Sequence, residues 1–290
     1  MPRVPLTERR ETLHRDGVRI GYRVSGPAPQ PGGPLPILLG HSLLCDGRMW
    51  EGVEPALASK RTVLNVDVRG HGTSTAPRPF TLEDLADDWL AILDREKLPR
   101  ALLCGLSMGG MTALRVALRA PDRVAAMMIL DSSADPELPS KRLQYRLMVE
   151  TTNYFGMVRM LEPVVMRLMF GKTTLRERPE LALREAERMR EHDPHQRYWA
   201  VRAVFQRRSI HDLLPSIRCP TLVLYGEEDV ATPPMRSQRL AAALPSSTLR
   251  AIPRAGHLSA LEQPQSVVTE LEAFLETLAE ARSGDGATPQ

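Results

Sequence analysis

The feature that most constrains this chain is the stretch Gly105-Leu106-Ser107-Met108-Gly109-Gly110. It follows an apolar run over residues 101–106 and opens a helical pattern over 108–119, closed by Pro121. A G-x-S-x-G pattern between a strand and a helix forces a tight turn at the serine, and the glycines leave room for it. The turn lifts the hydroxyl above a sheet edge and sets it at a helix N-terminus, where developing negative charge is favoured. The spacing predicts a strand–turn–helix unit with Ser107 as nucleophile. The plainer alternative is a Gly-rich turn with a solvated serine.

The rest of the chain repeats this alternation. Residues 36–40, 61–66, 124–130 and 221–225 are short apolar runs bounded by Gly, Pro, Asp or Asn, and they read as buried strands. Thr81-Leu82-Glu83-Asp84 reads as a capping box opening a helix to residue 96, with Leu82, Leu85, Trp89 and Leu93 on one face. Strands alternating with helices predict an α/β fold: a mostly parallel, doubly wound sheet covered on both faces. Residues 11–15 and 18–24, joined at Asp16-Gly17, predict an antiparallel hairpin ahead of it. Between 134 and 212 the periodicity is helical and no strand pattern is found. This stretch predicts an all-helical cap over the C-terminal edge of the sheet. The expected organisation is a core of residues 1–133 and 213–282, a cap at 134–212 and a disordered tail at 283–290.

Composition removes several classes of function. The chain has 290 residues, 42% of them hydrophobic, enough for a large core. Its 38 Lys and Arg against 35 Asp and Glu give +3, too weak and too mixed a charge for a nucleic-acid protein. The longest apolar run, 124–130, is far short of the roughly 20 residues of a membrane span. The first 20 residues carry five arginines and no apolar core of a signal peptide. Cys45, Cys104 and Cys219 are odd in number and form no C-x-x-C pair, which fits a reducing cytoplasm and no zinc site.

A serine hydroxyl needs a base. Of seven histidines, His257 is the best placed. It sits in Arg254-Ala255-Gly256-His257-Leu258, after a strand-like stretch at 247–252, and the glycine lets the loop turn toward the sheet edge. His192 and His195 flank Asp193-Pro194 and read as surface residues, His14 belongs to the hairpin, and His71 reads as a loop brace. The base needs an acid to fix its tautomer. Asp229, in Gly226-Glu227-Glu228-Asp229 after the strand at 221–225, is the first candidate, and the order Ser107, Asp229, His257 suits the motif. Asp131, ending the strand at 124–130, is its rival, and Glu227 and Glu228 lie within a residue or two. Gly40-His41-Ser42-Leu43-Leu44 can turn a backbone N–H toward a reacting oxygen. Leu43 is the expected first donor of an oxyanion hole and Met108 the second, with His41 as a brace.

Together these residues resemble the alpha/beta-hydrolase family over about residues 18–278. The resemblance rests on His41-Ser42 with Trp50 downstream, Asp67-Val68-Arg69-Gly70-His71-Gly72, the segment 105–110, Gly226 to Asp229 with Thr232-Pro233-Pro234, and Gly256-His257. His-Ser in place of the commoner His-Gly, with the downstream Trp, is similar to the oxoadipate enol-lactonase and small carboxylesterase group. The resemblance implies a Ser107–His257–Asp229 triad with the Leu43 and Met108 N–H groups as oxyanion donors. It implies a serine hydrolase of carboxylic esters or lactones, without metal or organic cofactor, acting on a small molecule as a monomer or small homo-oligomer. A nucleophilic serine argues against dehalogenase and epoxide-hydrolase chemistry, which needs an aspartate there. Two other activities share the scaffold, carbon–carbon bond hydrolysis and cofactor-free peroxidation, and so does a non-enzymatic ligand receptor. The cap carries six of the 13 methionines, and its 15 Lys and Arg exceed its 11 Asp and Glu. The methionines suggest packing or an adaptable apolar acyl pocket.

Overall fold

Asp16 and Gly17 both take positive φ, 52° and 75°, which matches the right-handed twist of the strands they join. The result is an antiparallel hairpin of β1 (Glu8–Arg15) and β2 (Val18–Ser25) at one edge of the sheet. The structure, a computed structural model, describes residues 8–137, 150 and 158–284. β3 (Ile37–Gly40), β4 (Val63–Val66), β5 (Ala101–Leu106), β6 (Val124–Leu130), β7 (Thr221–Gly226) and β8 (Ser247–Ile252) complete eight strands in the order β1-β2-β4-β3-β5-β6-β7-β8. β2 meets β4 antiparallel, and every later pairing is parallel.

Alternate side chains of each central strand feed two cores. On β3, Ile37 and Leu39 face one side and Leu38 the other. Residues of α1 (Glu54–Ala58) join the first core, and those of α2 (Leu82–Arg95) and α3 (Met108–Arg119) the second. The alternation slips once on β6, where Val124 shares a face with Met127 and Ile129. Pairing with β5 skips from Val124 to Ala126, so Ala125 is an inserted bulge that shifts the phase. At the start of α2, Thr81 and Asp84 exchange both bonds of the expected capping box.

Between β6 and β7 the chain forms α4 (Val158–Met169), α5 (Lys172–Glu177), α6 (Pro179–Glu191) and α7 (Pro194–Phe205), with no strand among the described residues. Of the expected cap, residues 138–149 and 151–157, with Met148 and Met157, lie outside the described part. After β7 come α8 (Pro234–Ala243), α9 (Ser259–Glu262) and α10 (Pro264–Gly284). The expected tail therefore enters α10 at its first two residues, and 285–290 lie outside the described part. No helix among the described residues is long and apolar enough to cross a membrane.

The helical layer is tied to the sheet edge by buried polar contacts. The Glu262 carboxylate accepts the N–H of Gly171, just after α4, and that of Gly256, each at 2.8 Å. Leu258 N–H donates to the Met169 carbonyl. Glu228 accepts the N–H and hydroxyl of Thr173 at 2.8 and 2.6 Å. Glu262→Ala orphans two buried N–H groups, each worth about 1–3 kcal/mol when left unpaired. Urea unfolding should show a loss of about 2–4 kcal/mol. A loss under about 0.5 kcal/mol would mean that Glu262 does not hold this junction.

Candidate active site

Ser107 occupies the one residue between β5 and α3, at φ 52° and ψ −109°, a conformation costing a non-glycine residue about 1–3 kcal/mol. Its neighbours hold it there. Ser107 N–H donates to the Leu130 carbonyl, and its own carbonyl accepts the Met111 N–H and the Ser132 hydroxyl. The glycines are required by closeness. A Cβ at Gly105 would lie 2.2 Å from the Gly109 carbonyl carbon, and one at Gly109 would lie 2.1 Å from the Gly40 oxygen.

His257 follows β8 on a loop whose Gly256 packs against Gly171. Its Nδ1 lies 2.9 Å from Asp229 Oδ2, and both side chains are buried. A carboxylate only accepts, so Nδ1 carries the proton and Nε2 is left with its lone pair. Asp229 Oδ1 accepts the Thr232 N–H at 2.8 Å, which fixes the carboxylate plane. Burial works to lower the His257 pKa; the carboxylates of Asp229, Asp131 and Glu262 overcome it, and the imidazole ends above its ordinary 6.5.

Asp131 comes close without touching His257. Its Oδ1 accepts the Gly226 N–H at 2.7 Å, and its Oδ2 accepts the Ser259 hydroxyl. Complete burial, and then the nearby Asp229 charge, push its carboxyl well above the usual range. The geometry thus brings Asp229 to the imidazole, while Asp131 joins the ends of β6 and β7 to α9. Glu227 is exposed and Glu228 is committed to Thr173.

The segment after β3 is held by histidines. His41 Nε2 accepts the Val68 N–H at 2.8 Å, and its Nδ1 lies 2.7 Å from the Ser42 carbonyl. His71 Nε2 accepts the Leu44 N–H at 3.1 Å, and its Nδ1 faces the Arg69 carbonyl. Backbone N–H groups only donate, so both rings are neutral with the proton on Nδ1. Burial lowers both pKa values, His71 well below the ordinary range. Leu44 takes φ 70°, and among the described residues the N–H groups of Leu43 and Met108 donate to no protein acceptor. His192 departs from the surface position expected of it. It is buried, with Nε2 3.0 Å from Asp46 Oδ2 and its ring edge-on to His71. His192 lies in the turn between α6 and α7, which brings it against Asp46 and His71. His195 is exposed as expected.

Ser107, His257, Ser42 and Leu43 open onto one cavity of about 200 Å³. Its far wall comes from the helical layer, including Met166, Met169, Met189 and Arg197. Of the methionines between 134 and 212, Met166 and Met169 are on this wall. Met111 and Met189 also line the cavity, and nothing in the local sequence distinguished them from core residues. Ser42 Oγ is buried without a hydrogen-bond partner among the described residues. Among the described residues, no group of three His, Cys, Asp or Glu is placed to hold a metal ion.

Comparison with known proteins places the fold. The family described as the alpha/beta hydrolase fold matches residues 36–264. 3-Oxoadipate enol-lactonase 2 of Acinetobacter baylyi is 26% identical over 274 residues, covering 94% of this chain and 98% of the relative. A thermophilic esterase from Thermogutta terrifontis superposes with TM-score 0.84 at 28% identity, covering 95% and 99%. The enol-lactonase from Burkholderia xenovorans LB400 gives TM-score 0.83 at 27% identity, covering 92% and 100%.

The Asp229 contact generates a prediction about charge. The His257 imidazole, followed by NMR, should titrate above 6.5, and Asp229→Asn should move it below that value. A wild-type midpoint at or below 6.5 would mean that burial outweighs the carboxylates.

Proposed function

Because the chain belongs to the alpha/beta-hydrolase fold family, we propose that it is a serine hydrolase of carboxylic esters or lactones, with Ser107, His257 and Asp229 as its triad. The observation that carries this reading is the buried His257–Asp229 contact opening onto the same apolar cavity as Ser107. His257 Nε2 takes the proton of Ser107 as the hydroxyl attacks the carbonyl. The imidazolium that forms is stabilised by Asp229. The tetrahedral oxyanion is bound by the N–H groups of Leu43 and Met108, which have no acceptor among the described residues. His257 then protonates the departing alkoxide. Water enters, His257 takes its proton, and the acyl-enzyme is hydrolysed.

Two features prepare the site before substrate arrives. The strained turn fixes Ser107 without help from the substrate, and the neutral His41 and His71 hold the loop that carries Leu43. In this reading residues 134–212 act as the cap, excluding water and shaping the acyl site through Met166 and Met169. Work in the cytoplasm is supported by three free cysteines, Cys45 and Cys104 among the buried residues.

Ser107→Ala should reduce hydrolysis of 4-nitrophenyl butyrate by at least about 10⁴-fold while circular dichroism stays that of the wild type. Retention of more than about a hundredth of the activity would remove Ser107 as nucleophile. Tryptophan in place of Met166 or Met169 should shift the ratio of kcat/KM between long and short acyl esters by about tenfold or more. An unchanged ratio in both folded variants would take the acyl site away from the helical layer.

A further inference from the structure

Four arginines are buried among the described residues: Arg69, Arg115, Arg197 and Arg207. Three have a carboxylate. Arg69 pairs with Asp88 at 2.6 Å, Arg115 with Glu83 at 2.8 Å and Arg207 with Glu137 at 3.1 Å. Arg197 has none within ion-pair distance among the described residues. Among the described residues its one side-chain hydrogen bond runs from Nη1 to the Met189 carbonyl, and Nε and Nη2 find no acceptor there. Burial lowers its pKa, and the one charge that opposes this is Asp193, at the N-cap of its own helix. Residues 138–149 and 151–157 contain no Asp or Glu, so that part of the chain has no carboxylate to offer it.

A buried cation without a counter-ion is costly, and proteins keep such groups paired or place them where a ligand supplies the charge. Arg197 is on the wall of the cavity that Ser107 and His257 share. We propose that Arg197 is a carboxylate subsite, and that the substrate is an ester or lactone carrying a second, ionised carboxyl group. The inference rests on the hydrolase reading above. The free Nε–Nη2 edge of a guanidinium matches the two oxygens of a carboxylate. One cation balances one negative charge, which favours a carboxylate over a phosphate dianion. The other charged groups on the wall are already engaged. Glu162 is held by Arg190, and Glu137 by both Arg207 and Arg236. Neither glutamate is left to pair with Arg197, so among the described residues Arg197 is the one arginine on the wall with no carboxylate of its own.

The test uses matched pairs of 4-nitrophenyl esters. Each pair is a linear dicarboxylic monoester with a free terminal carboxylate, and the same acyl chain with that carboxylate capped as a methyl ester. Lengths of about four to eight carbons sample the distance from Ser107 to Arg197 in a cavity of this size. Wild type should favour the charged ester at one or more lengths by at least about tenfold in kcat/KM. Arg197→Met should lower that ratio by about 10- to 100-fold, and Arg197→Lys should keep part of the preference. A wild-type ratio of one or less at every length overturns the subsite, as does a ratio unchanged in Arg197→Met. If Arg197→Met fails to fold, Arg197→Lys and the wild-type length series decide the matter in the same way. Calorimetry with the free dicarboxylates separates this inference from the reading beneath it. If no ester is cleaved, yet dicarboxylates bind wild type about tenfold tighter than either Arg197 variant, the subsite stands and the hydrolase reading falls. If capped esters are cleaved and the charge preference is absent, the hydrolase reading stands and the subsite falls.

Discussion

At the C-terminal end of β3 the backbone of Gly40 meets the first turn of α3 with nothing between them. A methyl group on Gly109 would overlap the Gly40 carbonyl, and the Gly109 N–H donates to the His41 carbonyl at 3.1 Å. This contact fixes the strained turn at Ser107 relative to the segment carrying Leu43. The segment carrying Leu43 is thus set against the start of α3 by backbone packing, and the His41 and His71 rings hold that segment in place. The register of β3 against β5, which pairs Gly40 with Gly105, brings the two backbones to this distance. Sheet, turn and loop share one constraint, and a side chain at any of the three glycines would separate them.

The histidines show how surroundings decide the behaviour of one residue type. His41, His71 and His257 are all buried. The first two accept backbone N–H groups, so a proton on Nε2 would break the bond that holds the loop, and burial keeps them neutral. His257 instead lies among the carboxylates of Asp229, Asp131 and Glu262, and its pKa rises. Asp131 takes the opposite course from an ion-pair partner. Surrounded by a buried carboxylate and bonded to Gly226 and Ser259, it is pushed toward its neutral form.

Glu262 and Glu228 link the helical layer to the same sheet edge. Glu262 bonds both the segment leaving α4 and the glycine before His257, so one side chain ties the cavity's roof to the imidazole loop. The roof brings methionines, which fill irregular apolar space, and one buried arginine with no carboxylate within ion-pair distance among the described residues.

Much of this was legible in the residues alone. The bounds of β5, α3 and β6 follow from apolar runs cut by Gly and Pro, and Thr81 with Asp84 marks the start of α2. The stripe Val267, Val268, Leu271 and Leu275 in α10 was equally present, in a segment with no motif to draw attention to it. For the site, the chain order of Ser107, Asp229 and His257 and the glycines around them narrowed the candidates, because strained turns and strand ends leave local signatures. The choice between Asp229 and Asp131 was different. Both end parallel neighbouring strands, and only the packing of the His257 loop decides which carboxylate reaches Nδ1. His192 reads as a surface residue until α6 and α7 fold over Asp46. Arg197 was one of 15 basic residues in its stretch, and whether a charge is solvated or stranded is a property of what surrounds it. Sequence determined the elements and the turn chemistry, because those forces act between residues near in the chain. Tertiary structure alone decided burial, pairing and counter-ions, because those depend on groups that meet only when distant segments pack.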